Sequence, residues 1–295
     1  MPNLKEVRTR IASIKSTRQI TSAMKMVSAA KLRKAQKGIM AQRPYAVKMK
    51  TMLDHLNQQI TAEQQHVFFK PNTSEKVLVV AITSNKGLCG TYNSVVIKQT
   101  LQHLRLLQAE NISFELLLIG KKAVEFFKKQ DFPIYKINQE LLDPVTDQKA
   151  SEVSLEIQGL FRSAAFGKVV VIYNYFKNAI MQELVVEQVL PIPLPEAGNP
   201  AEGIMANGAY GHIMEPSAEQ VVETLVPRFV MMNLYRIFLD ASAAEHGARM
   251  TAMNSATDNA TELLKSLSLT YNKVRQSMIT REIMEIVAGA EAMNQ

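Results

Sequence analysis

Residues 239–278 read LDASAAEHGARMTAMNSATDNATELLKSLSLTYNKVRQSM. Within them Leu239, Ala243, His246, Met250, Met253, Thr257, Ala260, Leu264, Leu267, Tyr271, Val274 and Met278 follow one another at spacings that alternate four and three. That period forms a seam which winds a helix left-handedly around a partner. No proline follows Pro227, and only Gly247 and Gly289 interrupt the good helix formers after it. The pattern predicts one helix from about Ser217 to Gln295, with sixty-odd residues reaching roughly 100 Å, far beyond an ordinary globular helix. Such a strand needs a second one to cover its seam.

The other end of the chain supplies a candidate. Apolar residues recur at Leu4, Val7, Ile11 and Ile14, then at Ile20, Met24 and Val27, which is helical spacing. A helix from Asn3 to about Asn57 would reach roughly 80 Å, with a bend expected at Arg43-Pro44, where proline removes a backbone donor. Residues 1–50 hold thirteen Lys or Arg against one acid, Glu6, so this segment carries +12 of a net +7 and the remainder about −5. A block of this kind is a solvated face or a surface for nucleic acid, anionic lipid or an acidic protein. Only Pro2 and Gly38 precede Pro44, so the block reads as a rigid helix and not a flexible arm. With a large segment between them, the two terminal helices are expected to pair antiparallel. Ala, Ser, Thr and Gly dominate from Asp240 to Glu262 and let the backbones approach closely.

Between the helices the texture changes. Lys76 to Thr83, Phe114 to Ile119 and Val169 to Tyr173 are continuous apolar runs of the kind buried in parallel sheets. Helical stretches stand near Tyr92 to Glu110, Lys121 to Gln130 and Ala150 to Phe166, and a further strand is expected from Gln182 to Leu190. A loop from Pro191 to Pro216 then holds nine of the chain's Gly and Pro residues. The alternation predicts an α/β domain with a largely parallel sheet. The expected organisation is an N-terminal coiled-coil helix over 1–60, an α/β domain over 70–216 and a C-terminal coiled-coil helix over 217–295.

Composition narrows the functions. The single Cys89 excludes an internal disulfide framework. No apolar run approaches the ~20 residues of a membrane span, and no signal-peptide core is present. The helix pattern starts at Leu4, so no separate presequence is expected, and the chain reads as soluble or peripheral. The turn Ser84-Asn85-Lys86-Gly87-Leu88-Cys89-Gly90 follows a strand and precedes a helix, a place where phosphate can be cradled. The Gly-Lys-Ser/Thr of a Walker loop is missing there, as is Gly-x-Gly-x-x-Gly, and a tight turn relieved by glycine is the plainer reading. His55, His66, His103, His212 and His246 lie far apart, which disfavours a metal site, and Cys89 reads as a packed residue. No catalytic residues, cofactor or metal are expected.

The string Ile279-Thr280-Arg281-Glu282-Ile283-Met284-Glu285-Ile286-Val287-Ala288-Gly289-Ala290 resembles the C-terminal signature of the γ subunit of F-type ATP synthases. Glu245 to Met253 and Ala256 to Ala260 match the same helix, and Thr17 to Arg33 is similar to the family's N-terminal helix. The turn at Gly87-Leu88-Cys89-Gly90 also matches, with Asn85-Lys86 where relatives usually carry Asp-Arg, and Arg281 stands where Gln is common. The resemblance implies a long antiparallel coiled coil beside a Rossmann-like α/β domain. It further implies a non-catalytic rotor, one copy per complex, turning within a ring of α and β subunits and carried through the ε subunit and the membrane c-ring. On that reading Lys25, Arg33, Lys34, Lys86, Arg275, Gln276, Thr280 and Glu282 face the β subunit, while Met214 and Glu215 lie near the c-ring and ε. The implied place is the cytoplasmic face of a bacterial inner membrane.

Three function classes follow from the residues and the resemblance together. An enzyme on the α/β domain lacks phosphate and acid–base motifs. A nucleic-acid-gripping coiled coil would want aromatics stacked among the charges, yet Tyr45 stands alone among the first fifty residues. A mechanical rotor uses the long helices, the basic face and the α/β domain at once.

Overall fold

The computed structural model describes residues 3–59, 66–193 and 217–293. Its elements run α1 (Leu4–Gln59), β1 (Val77–Ile82), α2 (Tyr92–Ala109), β2 (Phe114–Ile119), α3 (Lys121–Phe127), β3 (Ile134–Asn138), α4 (Asp147–Arg162), β4 (Lys168–Phe176), β5 (Gln182–Leu190) and α5 (Ala218–Met293). They form two compact units, one of residues 1–29 with 249–295 and one of residues 30–248.

The larger unit is built on a five-stranded sheet in the order β3-β2-β1-β4-β5. β1 pairs parallel with β2 and β4, β2 pairs parallel with β3, and β5 returns antiparallel along β4. All six residues of β1 are buried, as a central strand covered on both faces requires. Alternate residues serve two cores. Leu78, Val80, Ile82, Leu117 and Val171 pack with Phe161 of α4 and with Val226, Val230, Leu234 and Phe238 of α5. On the opposite face Val79, Ala81, Leu116, Leu118 and Ile172 meet Val96 and Leu104 of α2 and Phe127 of α3. The first turns of α5 are therefore one covering layer of the sheet. Gly38 of α1 sits against Leu239, where a Cβ would lie 3.2 Å from Cδ2, so glycine permits this close approach.

β3 was not anticipated. Ile134-Tyr135-Lys136-Ile137-Asn138 is a half-covered edge strand with a lysine at its centre, so it lacks the apolar run that marks its neighbours. Pro44 lies inside α1 and the helix assignment continues across it, as it does across Pro227 in α5.

In the smaller unit α1 and α5 pair antiparallel. The hydroxyls of Thr21 and Thr257 lie 2.8 Å apart, and Lys25 Nζ donates to Asn254 Oδ1 at 2.6 Å. Val7, Ser28, Met253 and Ala260 are buried along this seam, with Ile11, Ile14, Leu264, Leu267, Tyr271 and Val274 half-buried. The inward face of α1 departs from expectation beyond Ile14. Ile20 and Val27 are 57% and 58% exposed, and Arg18, Thr21 and Ser28 turn inward instead. At Thr21 the physical reason is the opposing surface: α5 presents Thr257 there, and a polar group inside a seam needs a polar partner.

Candidate functional site

The register of the helix pair fixes where it ends. Thr21 stands against Thr257. At that pairing the start of α1 at Leu4 falls opposite about Val274. From Arg275 to Ala290 every residue of α5 is exposed. Met278, which the heptad spacing assigned to the seam, is exposed because no part of α1 extends to cover it. This stretch mixes large apolar side chains, Ile279, Ile283, Met284, Ile286 and Val287, with polar ones. Exposed apolar groups in such density make this stretch a candidate interaction surface.

Arg275, Gln276, Thr280 and Glu282 all lie on this uncovered stretch. Gln276 and Thr280 share a face at helical spacing, and Thr280 Oγ1 donates to the Gln276 carbonyl at 2.9 Å. The Arg275 guanidinium and the Glu282 carboxylate are accessible from solvent.

The basic candidates are divided between the units. Lys25 belongs to the helix pair, and its ammonium is held by Asn254, which also donates to Asp258 Oδ2 at 3.0 Å. Arg33, Lys34 and Lys86 belong to the larger unit, and all are exposed. Lys86 sits in the turn after β1. There Ser84 Oγ donates to the Lys86 carbonyl at 2.7 Å, Asn93 Oδ1 accepts from the Ser84 amide at 2.9 Å, and Asn93 Nδ2 reaches Cys89 Sγ at 3.2 Å. Leu88 and Gly90 take positive φ of 62° and 59° to close it. Asn85 caps α3 by accepting from the Lys121 amide at 3.0 Å. Ser84 and Asn93 bond each other within the turn, while Asn85 also reaches out to the Gln139 carbonyl at 2.6 Å, bonds that hold the turn's shape. Among the described residues no group of His, Cys, Asp or Glu is arranged to hold a metal, and no helix is long and apolar enough to cross a membrane.

One electrostatic feature had no signal in the sequence. Lys31 Nζ lies 3.0 Å from Asp143 Oδ1, tying α1 to the loop before α4. This hydrogen bond is the main reason the Asp143 carboxyl is held below its ordinary range, with the charges of Lys31, Lys86 and His246 acting the same way. Met214 and Glu215 lie outside the described residues.

Comparison with known proteins places these features in one family. The sequence pattern of the family described as ATP synthase matches residues 3–293. The chain is similar to the ATP synthase gamma chain of Flavobacterium johnsoniae, 44% identical over 294 residues and covering 100% of both. It is 43% identical to that of Amoebophilus asiaticus, again covering 100% of both chains. Among solved structures, a chain of the rotational-state-3 OSCP/F1/c-ring structure of the Euglena gracilis mitochondrial ATP synthase superimposes with a TM-score of 0.64 at 22% identity, over 98% of this chain and 94% of that one. A chain from the central stalk/c-ring structure of the Tetrahymena thermophila enzyme does so with a TM-score of 0.57 at 24% identity, over 80% and 99%. At these identities the structural likeness establishes the fold, and the sequence relatives establish the family.

Proposed function

The chain belongs to the ATP synthase gamma chain family, and on that premise we propose how it works as the central rotor shaft of an F1Fo ATP synthase. It is a non-catalytic subunit that couples rotation of the membrane c-ring to ATP synthesis and hydrolysis on the α and β subunits. The observation that carries this reading is the helix α5, which runs past the end of its partner and leaves Arg275 to Ala290 exposed. A two-stranded shaft lacks the rotational symmetry of the ring around it, so it meets each β subunit differently. It biases each catalytic site only by the difference in contact energy between that site's conformations. Turning the shaft therefore cycles each site through binding, reaction and release.

The basic residues are the electrostatic part of this contact. We assign Lys25, Arg33, Lys34 and Lys86 to acidic surfaces of the β subunits, and Arg275, Gln276, Thr280 and Glu282 to a hydrogen-bonded contact at the tip. Exposed pairs contribute about 0–1 kcal/mol each, so single changes on the basic face are expected to be mild. Replacing Lys25, Arg33 and Lys34 together by Glu should lower coupled ATP synthesis by the assembled complex several-fold. Unchanged synthesis would leave that face merely solvated.

The segment holding Met214 and Glu215 is assigned to the ε subunit and the polar loops of the c-ring. Cysteines placed at either position should cross-link to ε or c, and exclusive cross-linking to α or β would refute the assignment. The functional division we adopt is the shaft over 1–60 and 217–295 and the docking domain over 70–216. The complex is peripheral at the membrane, and we place it on the cytoplasmic face of a bacterial inner membrane. The nucleic-acid alternative has no support from the relatives. Co-purification discriminates: the tagged chain should bring down ATPase α and β subunits in stoichiometric amount. Recovery with nucleic acid, or alone, would reject the rotor reading.

A further inference from the structure

A cavity of about 580 Å³ opens in the larger unit among α1, β5 and α5. Its size falls within the roughly 300–1,000 Å³ of small-molecule sites. Ile39, Val189, Ile192 and Phe229 give it apolar walls, while Gln42 and Asp240 add polar groups. Gln42 Nε2 donates to the Met232 carbonyl at 2.7 Å and contacts Met232 Sδ at 4.0 Å, and its Oε1 is an acceptor.

The charges around the cavity do not balance. Arg236 Nη2 donates to Glu187 Oε1 at 2.6 Å, and Asn233 Nδ2 donates to the same oxygen at 3.2 Å. The Tyr173 hydroxyl donates to Glu187 Oε2 at 2.8 Å. Glu187 is thus well supplied with donors. Asp240 has a side chain only 5% exposed, and it receives one long bond, from Arg236 Nη1 at 3.4 Å. One guanidinium faces two carboxylates and makes its short bond to Glu187. The uncompensated charge rests on Asp240. A buried carboxylate so placed takes up either a proton or a cation. Desolvation pushes the Asp240 carboxyl up to about 6, against the pull of Arg236.

We infer that this cavity is a binding site for amphipathic organic amines, with the ammonium paired to Asp240 and the hydrocarbon body against Ile39, Val189, Ile192 and Phe229. Arg43 and Lys50 also line the cavity, but both are exposed, where water and salt screen them. The buried charge therefore sets the preference. The site does not depend on the rotor reading, since none of its residues is assigned to a partner subunit.

The test is binding of 4-phenylbutylamine, 4-phenylbutanol and 4-phenylbutyrate to the full-length chain, measured by titration calorimetry. At about pH 8 the amine should bind on the order of tenfold more tightly than the alcohol or the acid. Asp240→Asn, which keeps the shape and removes the charge, should bring the amine and the alcohol to within about twofold. In the unaltered chain, amine affinity should fall about tenfold between about pH 8 and pH 5 as Asp240 takes its proton. The charged groups acting on Asp240 are Arg236 on its own helix and Glu187 on β5; Tyr173 on β4 is bonded to both, and Tyr175 on β4 with Arg43 and Lys50 on α1 are the other charged or titratable groups lining the cavity. Equal binding of the three compounds, no saturable binding, or an affinity independent of pH would overturn the inference. Should Asp240→Asn fail to fold, the pH series on the unaltered chain decides.

Discussion

Met253→Asp is expected to prevent assembly of the complex before any catalytic defect can be read. Met253 is 4% exposed and lies on the seam that pairs α5 with α1. Losing its side chain removes a well-packed thioether, which in cores costs roughly 2–5 kcal/mol. The carboxylate then brings an unpaired charge into the same place, and groups of that kind are worth several kcal/mol more unless they neutralise. A net loss of at least about 3 kcal/mol is expected, equivalent to a melting temperature lower by roughly 5 °C in a chain of this size. Thermal unfolding of the purified chain, followed by the helical circular-dichroism signal, measures it directly. The matched control is Leu264→Asp, which is half-buried and shares a surface hollow with Arg18. There the new carboxylate has a cation and water within reach, and the loss should be smaller. If the two variants melt together with the parent, the seam does not hold the helices.

Replacing Arg275 and Gln276 together by Ala should slow steady-state ATP hydrolysis by the assembled complex about tenfold or more. Neither side chain supports the fold of the chain itself, since both stand on the uncovered part of α5. Their value arises when the tip meets a β subunit and water is partly excluded, where hydrogen bonds to a charged group contribute roughly 1.5–3 kcal/mol. A contact made at one rotational angle and absent at others changes the height of one step and not the binding of nucleotide. The pair of readouts is therefore turnover of the complex and nucleotide affinity of isolated α and β subunits, with only the first expected to move. Equal turnover at matched assembly would return these residues to an ordinary solvated face. Arg281 lies about one and a half turns further along the same exposed stretch, and Arg281→Gln is expected to leave turnover close to the parent value.

Much of this was legible in the sequence because helices and strands report their burial through spacing. The seam from Leu239 to Val274 appears as alternating fours and threes, and it is the face that the structure covers. Val77 to Ile82 and Phe114 to Ile119 appear as apolar runs because both faces of those strands are covered. Where burial is partial or polar, spacing says little. β3 escaped notice because an edge strand needs only half its residues apolar. The inward face of α1 at Arg18, Thr21 and Ser28 escaped because these are polar residues, and the bond of Thr21 to Thr257 across the seam is invisible until the register is known. The exposed tip has the same origin. Its residues look like a continued seam, and only the end of α1 opposite Val274 shows that nothing among the described residues covers them. The network around Asp240 draws Tyr173, Glu187 and Arg236 from three elements, and no local pattern announces it.

The central claim is that this chain turns while the ring around it stays still. Cys89 is the chain's one cysteine and is buried, whereas Leu106 on α2 is 55% exposed, so Leu106→Cys provides one accessible thiol. With the ring fixed to a surface and a visible particle attached at that thiol, ATP should drive rotation in one direction. The pauses per turn should equal the number of catalytic sites. Continued ATP hydrolysis beneath a particle that stands still, or that only fluctuates without direction, would contradict the account.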